Sequence, residues 1–128
     1  MKILGIGVDI VNNKRIRYLI SNKSFINKTF GKNEIKFSKK KVNKINYFAK
    51  RFAAKESFVK SIGTGFRKGL NFRDIEILND RIGKPYFLIS KKIDKIITKK
   101  FKVKKFNLFL SISDEKEYSI AFTILQKK

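Results

Sequence analysis

Residues 46–62, NYFAKRFAAKESFVKSI, carry the clearest helical signal in the chain and constrain its fold more than any other stretch. At 100° per residue Phe48, Phe52, Val59 and Ile62 fall on one arc, which predicts an amphipathic helix with Gly63 as its stop. One flank of that arc aligns Ala49, Ala53, Glu56 and Lys60. Two alanines in line leave room for another backbone or a ligand to come close. The Glu56–Lys60 spacing also suits an ordinary i,i+4 pair on a solvated face, worth about 0.3–0.5 kcal/mol. Lys55 is out of place, because it falls inside the apolar arc. Either it snorkels out to water or it holds an anion at the helix edge.

A helix of this kind needs a partner surface, and the N-terminus offers one. In residues 3–10, ILGIGVDI, Leu4, Ile6, Val8 and Ile10 alternate with Gly5, Gly7 and Asp9. This reads as a strand with one face stripped of side chains beside a carboxylate. Ile16, Leu19 and Ile20 predict a helix over 13–22 capped by Asn12 or Asn13. Short helices are expected within 23–41, with Phe25, Phe30 and Phe37 as their apolar contacts. Beyond the loop 63–71, strands are expected at 72–78 and 86–89 around the turn NDRIGKP, then a basic helix over 90–100. FNLFLSIS (106–113) and YSIAFTIL (118–125) close a hairpin through DEKE. The fold class is α+β, mostly antiparallel, with helices against one face of the sheet. No linker, repeat or composition shift divides the 128 residues, so one domain spanning 1–128 is expected.

Chemistry is narrowed by what is missing. The chain has no cysteine and no histidine, so thiolate and imidazole chemistry are both excluded. Acid–base or metal work must fall to Asp, Glu, Lys, Tyr or water, and the lack of cysteine agrees with a reducing cytoplasm. The apolar N-terminus is short and carries an early Asp, unlike a signal peptide. No apolar run approaches a membrane span, so a cytoplasmic protein without membrane contact is expected. The net charge of +22 points to a polyanionic partner such as nucleic acid, an acidic protein or a phosphate-rich cofactor. A coding bias toward Lys, Asn, Ile and Phe would produce the same excess.

Two carboxylates, Asp9 and Glu56, thus sit beside cleared surfaces in a lysine-rich chain. That pattern suits Mg²⁺ with phosphate, since Mg²⁺ is commonly held by one or two carboxylates while substrate phosphates complete the shell. GIGVD fails the spacing of a dinucleotide fingerprint. GTGFRKG (63–69) follows a helix C-terminus and so lacks the favourable dipole of a P-loop. It offers only a weak case for phosphate contact.

The blocks GIGVDIVNNKRI, RFAAKESFVKSIGTGFRKGL, FRDIEILNDRIGKPYF and LSISDEKEYSIAF, in that order and spacing, resemble the holo-[acyl-carrier-protein] synthases, small bacterial-type 4′-phosphopantetheinyl transferases. The resemblance spans nearly the whole chain. It implies an α+β fold with a central helix on a mostly antiparallel sheet, completed by homotrimerisation, with active sites at subunit interfaces. It implies Mg²⁺-dependent transfer of phosphopantetheine from coenzyme A to a serine of apo acyl carrier protein, releasing adenosine 3′,5′-bisphosphate. Asp9 and Glu56 match the family's metal ligands. Glu56, directly or through a metal-bound water, matches the group that takes the serine proton, and Lys60 the lysine near the phosphates. Arg51, Gly63, Thr64 and Gly65 match positions around the nucleotide, and Pro85 one near the adenine. Arg15 matches a position that meets the acidic carrier protein, which gives the positive charge a target.

Two departures stand out. Phe109 and Asp114 occupy positions where many members carry histidine, and a lysine within 99–105 or the backbone is the expected substitute for the first. Residues 31–46 match only loosely. A basic nucleic-acid-binding module is the rival class, although no nucleic-acid-binding motif is present. A trimer that has lost catalysis is a third, opposed by the intact Asp9, Glu56 and Lys60.

Overall fold

The computed structural model describes residues 2–63 and 69–128. Strand β1 (Lys2–Asn12) leads into three seven-residue helices, α1 (Asn13–Leu19), α2 (Lys23–Thr29) and α3 (Lys32–Ser38). The long helix α4 (Lys44–Ile62) follows, then a 3-10 turn (Phe72–Asp74) and the hairpin β2 (Glu76–Asn79) and β3 (Pro85–Leu88). Helix α5 (Lys91–Phe101) precedes the second hairpin, β4 (Phe106–Asp114) and β5 (Tyr118–Lys127). All pairings are antiparallel, and the larger sheet runs β1-β5-β4 with Val8 opposite Phe122 and Ile10 opposite Ile120. The α+β expectation holds.

Helix α4 lies along β1 and β5, and small residues on both sides let it approach. Ala49, Ala53, Ser57 and Ser61, at i, i+4, i+8 and i+12, are all buried, as is Ala121 on β5. A Cβ on Gly7 would lie 2.8 Å from the Ser61 amide nitrogen and closer still to the Ser57 carbonyl oxygen. Gly5 meets the Ser61 carbonyl in the same way. The stripped face of β1 therefore admits a helix backbone, and so do the alanines; neither clears a path for a ligand. Where β5 crosses this seam, the Ser57 and Thr123 hydroxyls hydrogen-bond at 2.6 Å. The predicted apolar arc, Phe48, Phe52, Val59 and Ile62, is buried. Gly63 ends α4 at φ +73°, a left-handed conformation that glycine adopts without a Cβ penalty.

The structure departs from the sequence reading at several boundaries. Helix 13–22 stops at Leu19, because Asn22 turns to cap α2 through the amides of Ser24 and Phe25. Asn12 is the cap of α1, while Asn13 holds the β4–β5 turn by donating to the carbonyls of Glu115 and Lys116. Helix α4 begins two residues early, capped by Asn43. The strand expected at 72–78 is a 3-10 turn followed by the short β2, since Asp74 caps back to the Asn71 amide and the carbonyls of Phe72 and Ile75 turn inward. Phe25 and Phe30 join the core, but Phe37 is exposed.

The interior of α4 resolves Lys55. Its ammonium is fully buried 2.6 Å from Glu34, so it does not snorkel. The anion it holds belongs to the protein.

Candidate active site

Asp9 and Glu56 come together where β1 passes the last turns of α4. Asp9 follows Gly7 on the face turned to the helix, and Lys60, one turn beyond Glu56, completes the group. Lys60 donates to the Asp9 carboxylate at 3.1 Å and to the Val8 carbonyl at 3.0 Å. The pair expected between Glu56 and Lys60 is thus made by Lys60 and Asp9, across two elements. No ion pair between Glu56 and Lys60 occurs among the described residues. Burial is the largest influence on Glu56 and raises its carboxyl above the ordinary range; the Asp9 charge pushes the same way, against Lys60 and Arg15. A cation between the two carboxylates would relieve the opposition that the Asp9 charge sets against Glu56.

The donor set fits Mg²⁺. Both candidate ligands are hard carboxylate oxygens, and the described residues contain no cluster of three or more Asp, Glu, His or Cys that would enclose the ion. An open shell of that kind leaves positions for water and phosphate oxygens. Arg15 stands exposed at the edge, its guanidinium 5.7 Å from the centre of the Phe52 ring.

Arg51 belongs to a second cluster, on the side of α4 facing α3 and β2. A cleft of about 230 Å³ is lined by Phe37, Lys40 and Lys41, by Tyr47 and Arg51, and by Leu78 and Asn79. The Arg51 guanidinium stacks on the Tyr47 ring with its carbon 3.7 Å from the centroid, and it donates to the Asn79 side chain and the Tyr47 carbonyl. Its Nε is buried without a hydrogen-bond partner among the described residues. Pro85 opens β3 directly opposite Asn79, at the same end of the small sheet. Lys40, Lys41, Tyr47 and Asn79 went unnoticed in the sequence. The Tyr47–Arg51–Lys55 spacing, one helical face, was the available clue.

Other expected site residues stand apart. Gly63 ends α4 beside Lys100, which donates to the Ile62 carbonyl. That bond commits one lysine of the 99–105 set to a helix terminus. Thr64 and Gly65, with Phe66, Arg67 and Lys68, lie outside the described residues. Phe109 is half exposed on the outer sheet face, and Asp114 accepts from Asn46 at 2.6 Å.

Comparison with known proteins identifies the family and the fold. Residues 5–123 match the model of the 4′-phosphopantetheinyl transferase superfamily. The chain belongs to this family. A holo-[acyl-carrier-protein] synthase of Pelagibacter ubique is 59% identical over 128 residues, covering all of both chains. The crystal structure of a holo-[acyl-carrier-protein] synthase from Neisseria meningitidis superposes with a TM-score of 0.88 at 37% identity, covering 98% of this chain and 100% of that one. The Bacillus anthracis synthase in complex with CoA (3′,5′-ADP) gives 0.80 at 34% identity, covering 98% of each. Among the described residues of this phosphopantetheinyl transferase family member, no helix is long and apolar enough to cross a membrane.

Proposed function

We propose that the chain transfers the 4′-phosphopantetheine group of coenzyme A to a serine of apo acyl carrier protein and leaves adenosine 3′,5′-bisphosphate. The observation that carries this reading is the convergence of Asp9, Glu56 and Lys60 at the β1–α4 seam in a member of this family. Asp9 and Glu56 would hold Mg²⁺, which when bound supplies charge neutralisation and polarisation at the pyrophosphate. Lys60 turns its ammonium to the transferring phosphoryl oxygens. Glu56, more basic than an ordinary carboxylate because of its burial, takes the proton of the serine hydroxyl. The serine oxygen bonds to the β-phosphorus, and the pyrophosphate P–O bond to the nucleotide breaks. Positioning and charge stabilisation supply the rest.

Coenzyme A has a nucleotide as well as a pyrophosphate, and the Arg51 cleft with Lys40, Lys41 and Pro85 nearby suits it. Within one chain Arg51 faces α3 and β2 whereas Glu56 and Lys60 face β1. A homotrimer, in which one copy's cleft meets another's carboxylate pair, reconciles the two. The outer face of the large sheet supports such assembly: Ile6, Val8, Ile10, Phe109, Ile120 and Phe122 are all exposed on it. Arg15, with the charge of +22 behind it, steers the acidic carrier protein to the site. The whole chain acts as one domain, in the cytoplasm.

Intact-mass spectrometry tests the proposal. Apo carrier protein incubated with coenzyme A, Mg²⁺ and the protein should gain one phosphopantetheine, and Asp9→Ala or Glu56→Ala should abolish the gain. Wild-type turnover by both variants would show the site to be wrongly placed. Salt-sensitive nucleic-acid binding indifferent to both acids would favour the rival class.

A further inference from the structure

We infer that Lys55 and Glu34 are positioning residues for coenzyme A, acting through the nucleotide cleft; this rests on the reading that the nucleotide lies beside Arg51. Both side chains are fully buried, and nearly every polar atom they carry is used. The Lys55 ammonium donates to Glu34 at 2.6 Å, to the Phe72 carbonyl at 3.0 Å and to the Ile75 carbonyl, which accounts for its three protons. Glu34 also accepts from the Gly31 amide at 2.9 Å and from the Ile77 amide at 3.1 Å. Its own carbonyl accepts from the Tyr47 hydroxyl at 2.6 Å.

These bonds reach all three walls of the cleft. Glu34 lies one turn before Phe37 on α3, the wall that continues into Lys40 and Lys41. Ile77, held by the Glu34 carboxylate, directly precedes Leu78 and Asn79 on β2. Lys55 lies one turn beyond Arg51 and two beyond Tyr47 on α4. Glu76 reinforces the junction from the opposite side, accepting from the amides of Asn33 and Glu34 at the start of α3. The junction contacts no candidate catalytic group, yet the spacing between the Arg51 guanidinium and the lysines opposite depends on it. A buried pair is weak grounds for stability as such, because desolvation offsets much of the attraction. Fixing three separate elements around one arginine is a geometric role that a hydrophobic replacement cannot reproduce, since the Ile75 carbonyl would lose Lys55 and the Ile77 amide would lose Glu34.

Steady-state kinetics on the full chain test this, with Lys55→Met and Glu34→Gln set beside Arg51→Ala. Lys55→Met should raise KM for coenzyme A roughly tenfold while kcat at saturating coenzyme A and KM for the carrier protein stay within about twofold. Glu34→Gln, nearly isosteric, should raise the same KM by roughly threefold and decides the matter if Lys55→Met does not fold. A fall in kcat that merely follows the folded fraction, with KM for coenzyme A unchanged, would overturn the inference. If Arg51→Ala raises KM for coenzyme A and the other two variants do not, the positioning role is wrong. If Arg51→Ala leaves it unchanged, the cleft reading falls and this inference falls with it.

Discussion

Replacing Gly7 with alanine should damage stability and catalysis together, because the same close approach serves both. The added methyl would sit 2.8 Å from the Ser61 amide nitrogen and 2.9 Å from the Ser57 carbonyl carbon, both inside the 3.0 Å that real Cβ contacts essentially never breach. The obstacle is the backbone of the central helix, which has no rotamer to change. Strand and helix must part by roughly 1 Å to restore van der Waals separation. Overpacking of this kind costs about 3 kcal/mol, at the upper end of the usual range because neither side yields. For a chain of this length that lowers Tm by roughly 10 °C. Asp9 rides on the same strand two residues on, so the 3.1 Å Lys60–Asp9 contact opens and the carboxylate pair separates. Turnover measured well below Tm should fall roughly ten- to hundredfold, as for other ångström-scale misplacements. Gly83→Ala is the stability control: nothing lies within 4 Å of its added methyl, and only the strain at φ +89° remains, about 1 kcal/mol. Thermal melts and the mass assay on both variants check this. A Gly7→Ala protein with wild-type Tm and turnover would refute the argument that glycine is there to admit α4.

Two further outcomes follow from the described geometry. Phe122→Lys places a charge in the middle of the exposed apolar sheet face, and light scattering should show a trimeric wild type dissociating; a monomeric, active wild type would refute the trimer. Burial raises the Glu34 carboxyl and lowers the Lys55 ammonium, each opposed by its partner. Lys55→Met removes that opposition and raises Glu34 further. A carboxyl raised in the folded state stabilises the fold below its unfolded pKa and loses that contribution as pH climbs through the folded value. Relative to wild type, the denaturant midpoint of the variant should therefore drop as pH rises above the ordinary carboxylate range. A gap independent of pH would show that Glu34 is not left as an isolated buried carboxylate.

Much of the candidate site was legible because its residues lie on regular elements. Asp9 follows glycines at strand period, and Glu56 and Lys60 share a helical flank, so periodicity alone put each beside a small-residue surface. Their partners were not legible. Lys60 pairs with Asp9, 51 positions away, instead of the Glu56 one turn below it. The Arg51 cleft was missed for a related reason: its walls come from α3, α4 and β2, and residues 31–46 carry neither strong periodicity nor close family spacing.

Lys55 marks the boundary between the two kinds of information. The helical wheel by itself placed a lysine within the arc of Phe48, Phe52, Val59 and Ile62, and left open whether it snorkelled out to water or held an anion. Only the tertiary structure decided that the charge would be answered by Glu34, 21 residues earlier, and by carbonyls 17 and 20 residues later. The physical reason is that periodicity records which side of an element meets the core. Which charge waits there depends on how elements distant in sequence pack, and a buried ammonium is tolerated only where that packing brings every acceptor to it.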